Sequence, residues 1–193
     1  MHATRNARAG LTTTAMLAMS VVMGTTACGD DPFAFDWEDE PDTVLLYSLA
    51  RPELNLVSAY NFFQGFPVQI ELANATGTWD LAVDTRGGQI VILPPGALGV
   101  VSEAAIAPIP SMGIADVTEA PLDTLLYVED EAIVVEMGTV YVVKTNRAPG
   151  SFGRTCVYYA KLEAVDIDPV GGTFTFREVT NPVCNDRDLV PPN

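Results

Sequence analysis

Histidine is almost missing from this chain of 193 residues, whose one copy is His2. Without it, no Ser-His-Asp arrangement, histidine general base or histidine-ligated metal can be assembled downstream of residue 2. Positive charge is scarce too, with 10 Lys and Arg against 25 Asp and Glu. No basic cluster offsets that imbalance, so the chain repels phosphate backbones, and nucleic acid is excluded as a partner. The three cysteines form no C-x-x-C pair and so no thioredoxin-like redox motif. Neither a P-loop nor a dinucleotide glycine fingerprint occurs. Long apolar runs are lacking as well. The one candidate, Leu11 to Met23, is interrupted by Thr12, Thr13, Thr14 and Ser20, and it falls short of the roughly 20 apolar residues that span a bilayer.

That N-terminal stretch does have an order. Arg5 and Arg8 come first with no acid, the apolar tract follows, and Gly24-Thr25-Thr26-Ala27 supplies small residues before Cys28. Basic, apolar, small is the sequence of an export signal. A thiol directly after it is the acceptor for a diacylglyceryl anchor, so Cys28 is the expected lipidation site. Thr25 stands where such signals usually carry leucine, which keeps open an ordinary signal peptide cut nearby, with Cys28 a plain thiol. The expected division is a lipoprotein signal over 1–27, a tether over 28–42 and a folded domain over 43–193. Gly29 is not the aspartate that commonly retains lipoproteins at an inner membrane, so the expected address is the outer membrane of a cell envelope.

From Cys28 onward the chain keeps 8 bases against 25 acids, a formal charge of −17. The segment before residue 43 is crowded with Asp30, Asp31, Asp36, Glu38, Asp39, Glu40 and Asp42, with Pro32 and Pro41. Like charge and proline favour an extended, solvated tether. Phe33, Phe35 and Trp37 recur there at period two, fitting either a docked edge strand or a sticky patch. Cys156 and Cys184 are left as an even pair in an oxidising compartment. A disulfide between them would close about 28 residues and stabilise the fold by roughly 3 kcal/mol, pinning the C-terminal tail to a strand. A two-cysteine metal site is the alternative, a poor one for zinc, which takes four nitrogen or sulfur ligands.

Beyond residue 43 the pattern is β. Short runs of Val, Ile, Tyr, Phe and Thr alternate with Gly, Pro, Asn and Asp. They predict strands over 43–49, 68–73, 78–84, 89–93, 132–136, 139–145, 155–166 and 173–179. Gly87-Gly88 and Gly171-Gly172 mark tight turns, and Met137-Gly138 reads as a hairpin tip. In the last pair of strands, Ala160, Leu162 and Ala164 share one face, as do Phe174 and Phe176. One apolar face per strand and no helical periodicity predict an all-β fold, an antiparallel sandwich or an open barrel-like pair of sheets.

Chemistry is thinly signalled. Glu129-Asp130-Glu131 and Asp166-Ile167-Asp168 offer oxygen ligands for calcium, yet neither continues into the full loop pattern, and solvated turns account for them. Hydrolysis by two carboxylates stays open because acids are abundant. No pair stands out, so the chain is not expected to be an enzyme.

Several strand segments together carry a resemblance. Trp79-Asp80-Leu81-Ala82-Val83 is followed by Gln89-Ile90-Val91-Ile92-Leu93, then Asp116 to Pro121, Thr139-Val140-Tyr141-Val142-Val143-Lys144-Thr145, Tyr159-Ala160-Lys161-Leu162 and Gly172 to Arg177. In this order they resemble the HmuY-like proteins, bacterial surface lipoproteins of which several bind haem. The resemblance implies a β fold whose end loops hold haem iron by histidine or methionine. One ligand position of that family falls near Ala132 or Ile133, which cannot ligate iron. Met112 and Met137 are the only methionines past the signal, and they are the candidate haem ligands, with ordinary packing as the other reading. The expected role is therefore an envelope-anchored binding domain for haem or another tetrapyrrole. The alternative is a structural or protein-interaction module of the envelope without a small ligand, presenting a flat aromatic face with Tyr158, Tyr159 or Phe152.

Overall fold

The computed structural model describes residues 37, 40–150 and 153–192. Cys28, Phe33, Phe35 and Phe152 lie outside them, as does all of the expected signal. Among the described residues no helix is long and apolar enough to cross a membrane.

The described residues form two five-stranded antiparallel sheets. The first contains β1 (Asp42–Tyr47), β6 (Ala105–Pro110), β8 (Thr139–Lys144), β11 (Tyr159–Asp168) and β12 (Thr173–Thr180), in the order β1-β12-β11-β8-β6. The second holds β2 (Ala59–Asn61), β3 (Phe66–Val68), β4 (Leu81–Arg86), β5 (Gln89–Leu93) and β7 (Ile133–Val134), in the order β3-β2-β4-β5-β7. A two-residue ladder joins β9 (Ala148–Pro149) to β10 (Thr155–Cys156). The fold is an all-β sandwich, as the alternation of apolar residues predicts.

The inner faces make the core. Val44 and Leu46 of β1, Phe174 and Phe176 of β12 and Leu162 of β11 meet Tyr60, Leu81, Val83, Ile90 and Ile92 of the second sheet. Burying each large side chain is worth roughly 1.5–3 kcal/mol relative to exposure. Tyr60 meets Phe62 and Phe176 edge-on, with ring centroids 4.9 and 5.8 Å apart, a favoured aromatic geometry. In β11 the predicted face holds: Ala160, Leu162 and Ala164 are buried. Val165 is then bulged out, Ala164 pairing with Phe176 and Asp166 with Thr175.

The outer faces are covered too. Trp79, Ala75 and Ile70 pack on Ala59, Ala82, Val91 and Leu93 outside the second sheet. Ile114, Val117, Ala120 and Leu189 pack on Ala107, Val140 and Val142 outside the first. β8 is consequently buried along nearly its whole length, which explains an unbroken apolar run in an antiparallel sheet.

Several strand assignments shift. Residues 69–80 are turns rather than a strand, because they cross the outer face of the second sheet instead of joining it; β4 begins only at Leu81. β6 was hidden by Pro108 and Pro110, which an edge strand tolerates. The β2–β3 pair, too short for a clear alternation, was also unmarked. Met137-Gly138 is not a hairpin tip: β7 pairs with β5, whereas β8 pairs with β6 and β11, so the turn carries the chain from one sheet to the other. The predicted strand over 155–166 is broken at Val157-Tyr158 into β10 and β11. Arg86-Gly87-Gly88-Gln89 is a two-residue hairpin with φ of 58° and 79° at its glycines, the type I′ conformation that glycine alone adopts without strain.

Cys156 and Cys184 form a disulfide, their Cα atoms 5.0 Å apart. The tail beyond it packs on residues 118–120, which belong to none of the strands. Asn181, fully buried, donates to the carbonyls of Asp186 and Asp188, and Leu189 N–H donates to Thr118 O at 2.8 Å.

Candidate binding cleft

A cleft of about 350 Å³ opens at one end of the sandwich, between the turn after β2 and the end of β12. The turn is built by Asn61. Its Oδ1 accepts from Gln64 N–H at 2.7 Å, its backbone carbonyl accepts from Gly65 N–H, and its Nδ2 donates to Thr78 O at 2.6 Å. Such side-chain capture of nearby backbone is how asparagine shapes turns. Phe62 then points into the core while Phe63, the next residue, faces out.

Asp80 clamps the same turn from beneath. One carboxylate oxygen accepts from Phe62 N–H at 2.9 Å and the other from Asn146 N–H at 2.7 Å. Burial pushes this carboxyl up to about 6, outweighing the two backbone hydrogen bonds that favour its charge. The aspartate of the Trp79-Asp80 motif is thus a tie between the two sheets' loops.

The aromatic partner of Phe63 follows from the break before β11. Tyr158 N–H donates to Thr145 Oγ1, and Thr145 N–H to Tyr158 O, both at 2.9 Å. These bonds set the Tyr158 ring against Phe63, stacked with centroids 4.6 Å apart and planes 25° from parallel. Along β12, Glu178 lies in line with Phe174 and Phe176, at the end of the core. It is 5% exposed, and its carboxylate accepts from Tyr60 Oη at 3.1 Å and Thr180 Oγ1 at 2.8 Å. Burial raises this carboxyl, the two hydroxyls pull it back, and the negative charge of Asp42 raises it further. Asp42 is its register partner on β1. Among the described residues no ion pair involves Asp42 or Glu178.

The candidate haem ligands lie elsewhere. Pro110 of β6 pairs with Thr139 of β8, so Met112 and Met137, each two residues beyond that pair, extend from neighbouring strand ends. Both are exposed, at 38% and 61%. Through β11, Tyr141 of β8 is level with Leu162 and with Glu178 of β12, so Thr139 lies two residues further from the cleft, with β11 between β8 and β12. The structure therefore brings the methionines toward each other, but not to the aromatic walls. Tyr158 does line the cleft, whereas Tyr159 packs against the outer-face cluster with Val140 and Val142. Among the acidic clusters, Glu129, Asp130 and Glu131 are exposed, and Asp168 accepts from Val170 and Gly171 N–H in a turn. Among the described residues no group of three or more His, Cys, Asp or Glu is placed to hold a metal. Phe63 and Glu178 are not marked by any sequence motif, and Asp42 reads from the sequence only as one of the tether's acids.

No protein-family model matches the chain, and no curated protein is significantly similar to it. What fold and cleft define is an all-β sandwich with one aromatic-walled, acid-rimmed recess at its end.

Proposed function

We propose that the chain is an outer-membrane lipoprotein, tethered through Cys28, whose sandwich serves as a binding domain rather than an enzyme. The stacked Phe63–Tyr158 pair beside a cleft of about 350 Å³ carries this reading. Recesses of this size with a few convergent polar groups are the usual form of small-molecule sites. A half-exposed phenylalanine held against tyrosine is a ready contact surface, because aromatic rings bring large area at little conformational cost.

A second reading, haem or another tetrapyrrole held by Met112 and Met137 as in the HmuY-like proteins, is favoured by the register that sets the two thioethers at neighbouring strand ends. One titration separates the two. The full chain is followed by amide NMR against benzyl alcohol and, separately, hemin. The first reading expects saturable shifts at Gln64, Gly65 and Thr180 with benzyl alcohol, lost in Phe63→Ala. The second expects a Soret shift with hemin and paramagnetic broadening at Gly113 and Gly138, both lost in Met112→Ala plus Met137→Ala. If no aromatic solute shifts the cleft amides, the first reading falls; hemin binding unaffected by the methionine variants removes the second.

A further inference from the structure

We infer that the cleft beside Phe63 and Tyr158 selects small organic cations, an ammonium or guanidinium group borne on an apolar body. This inference rests on the cleft being a binding site and assigns its ligand class.

Three independent features point to positive charge. Asp42 and Glu178 are directly opposed across the β1–β12 ladder, an arrangement that costs stability because like charges on cross-strand neighbours repel. Both line the cleft, as does Glu40, and among the described residues neither Asp42 nor Glu178 is relieved by an ion pair. Second, Glu178 is buried and, among the described residues, its carboxylate is hydrogen-bonded to two hydroxyls, which orient it without neutralising it. Third, Phe63, 40% exposed and stacked on Tyr158, lines the cleft with the acids, and an aromatic ring attracts a cation held within about 6 Å of its face.

The same features make other ligands weaker than an organic cation. An anion placed here would meet two carboxylates, and haem carries its own pair of acidic side chains. A neutral solute would further desolvate Glu178 without offering charge in return. Repulsion of the wrong ligand sets specificity as much as attraction of the right one. The apolar body is required by Phe63, 40% exposed, and by Pro182, which line the recess beside the acids. An inorganic cation leaves those surfaces without a partner.

The test uses three benzyl probes on the full chain: benzyltrimethylammonium, benzyl alcohol and benzoate, each followed at the amides of Gln64, Gly65 and Thr180. The cation is expected to bind at least tenfold more tightly than the alcohol, and benzoate not to saturate. Affinity for the cation should fall at least tenfold in Glu178→Gln and severalfold in Asp42→Asn, with the alcohol affinity changed little. Asp42 is exposed, so its variant keeps the test decisive if Glu178→Gln does not fold. Equal affinity for cation and alcohol would overturn the cation assignment while leaving a binding cleft. Absence of saturable shifts with all three probes would overturn the cleft itself.

Discussion

Asp80 shows how a single side chain links folding to pH. Its carboxyl sits well above the ordinary aspartate value of 3.8, at about 6, because burial penalises the charge more than two backbone hydrogen bonds reward it. The folded chain therefore holds this proton more tightly than the unfolded chain does. Between about pH 4 and 6 the native state binds more protons, so stability falls as pH rises through that window and levels off above it. The contribution lost is of order 3 kcal/mol by the usual conversion of pKa shift to free energy. Glu178, raised in the same direction, adds to the slope. We expect urea unfolding to give a higher stability at pH 4.5 than at pH 7.5, and Asp80→Asn to flatten that difference. A wild-type chain that is less stable at pH 4.5 would contradict the assignment. Little of this was legible beforehand. Asp80 stood out only as part of a motif with Trp79, and Glu178 looked like any polar residue ending a strand. Asp80 is tied to Phe62 on the neighbouring strand's turn and Glu178 to Tyr60 of the opposite sheet, and neighbours so distant in sequence leave no local trace.

At the scale of elements, legibility tracks periodicity. β5, β8 and β12 are readable because alternation or an unbroken apolar run spans four or more residues. β6 was not, since its prolines argue against a strand unless its place at a sheet edge is known. Residues 69–80 misled for the opposite reason: Ile70, Ala75 and Trp79 are apolar because they cover a sheet, not because they belong to one. The cysteine pair was readable from count and compartment alone. It anchors the tail that covers the outer face of the first sheet, where Ala120 N–H donates to Arg187 O and Arg187 pairs with Glu119. Gly150 is packed so close to this bridge that a side-chain carbon there would overlap Cys156 Sγ. Replacing both cysteines by serine should lower stability by roughly 3 kcal/mol through the freer unfolded chain. The loss should be accompanied by faster hydrogen exchange at Ala120 and Leu189, whose amides join residues 118–120 to the tail. Unchanged exchange at these two amides would mean that the tail docks without the bridge.

For the whole molecule, the position of the cleft relative to the proposed anchor matters. Glu40 and Asp42 line the cleft, and Asp42 is 14 positions beyond Cys28. A chain of that length reaches at most about 50 Å, so a domain lipidated at Cys28 keeps its recess close to the membrane it is tied to. The acids that fill the intervening sequence repel an anionic surface, which opposes collapse of the domain onto the headgroups. Acyl chains gain roughly 0.8 kcal/mol per buried methylene, and two or more together give a stable anchor. Cys28→Ser should accordingly shift the protein from the detergent phase to the aqueous phase on Triton X-114 partition of expressing cells. Its affinity for benzyltrimethylammonium should stay within twofold of wild type, because the cleft is formed by Phe63, Tyr158 and Glu178 and not by the anchor. A Cys28→Ser chain that still partitions with detergent would remove the lipoprotein reading. A variant that leaves the membrane and also loses the cation would show that the anchor segment takes part in the site.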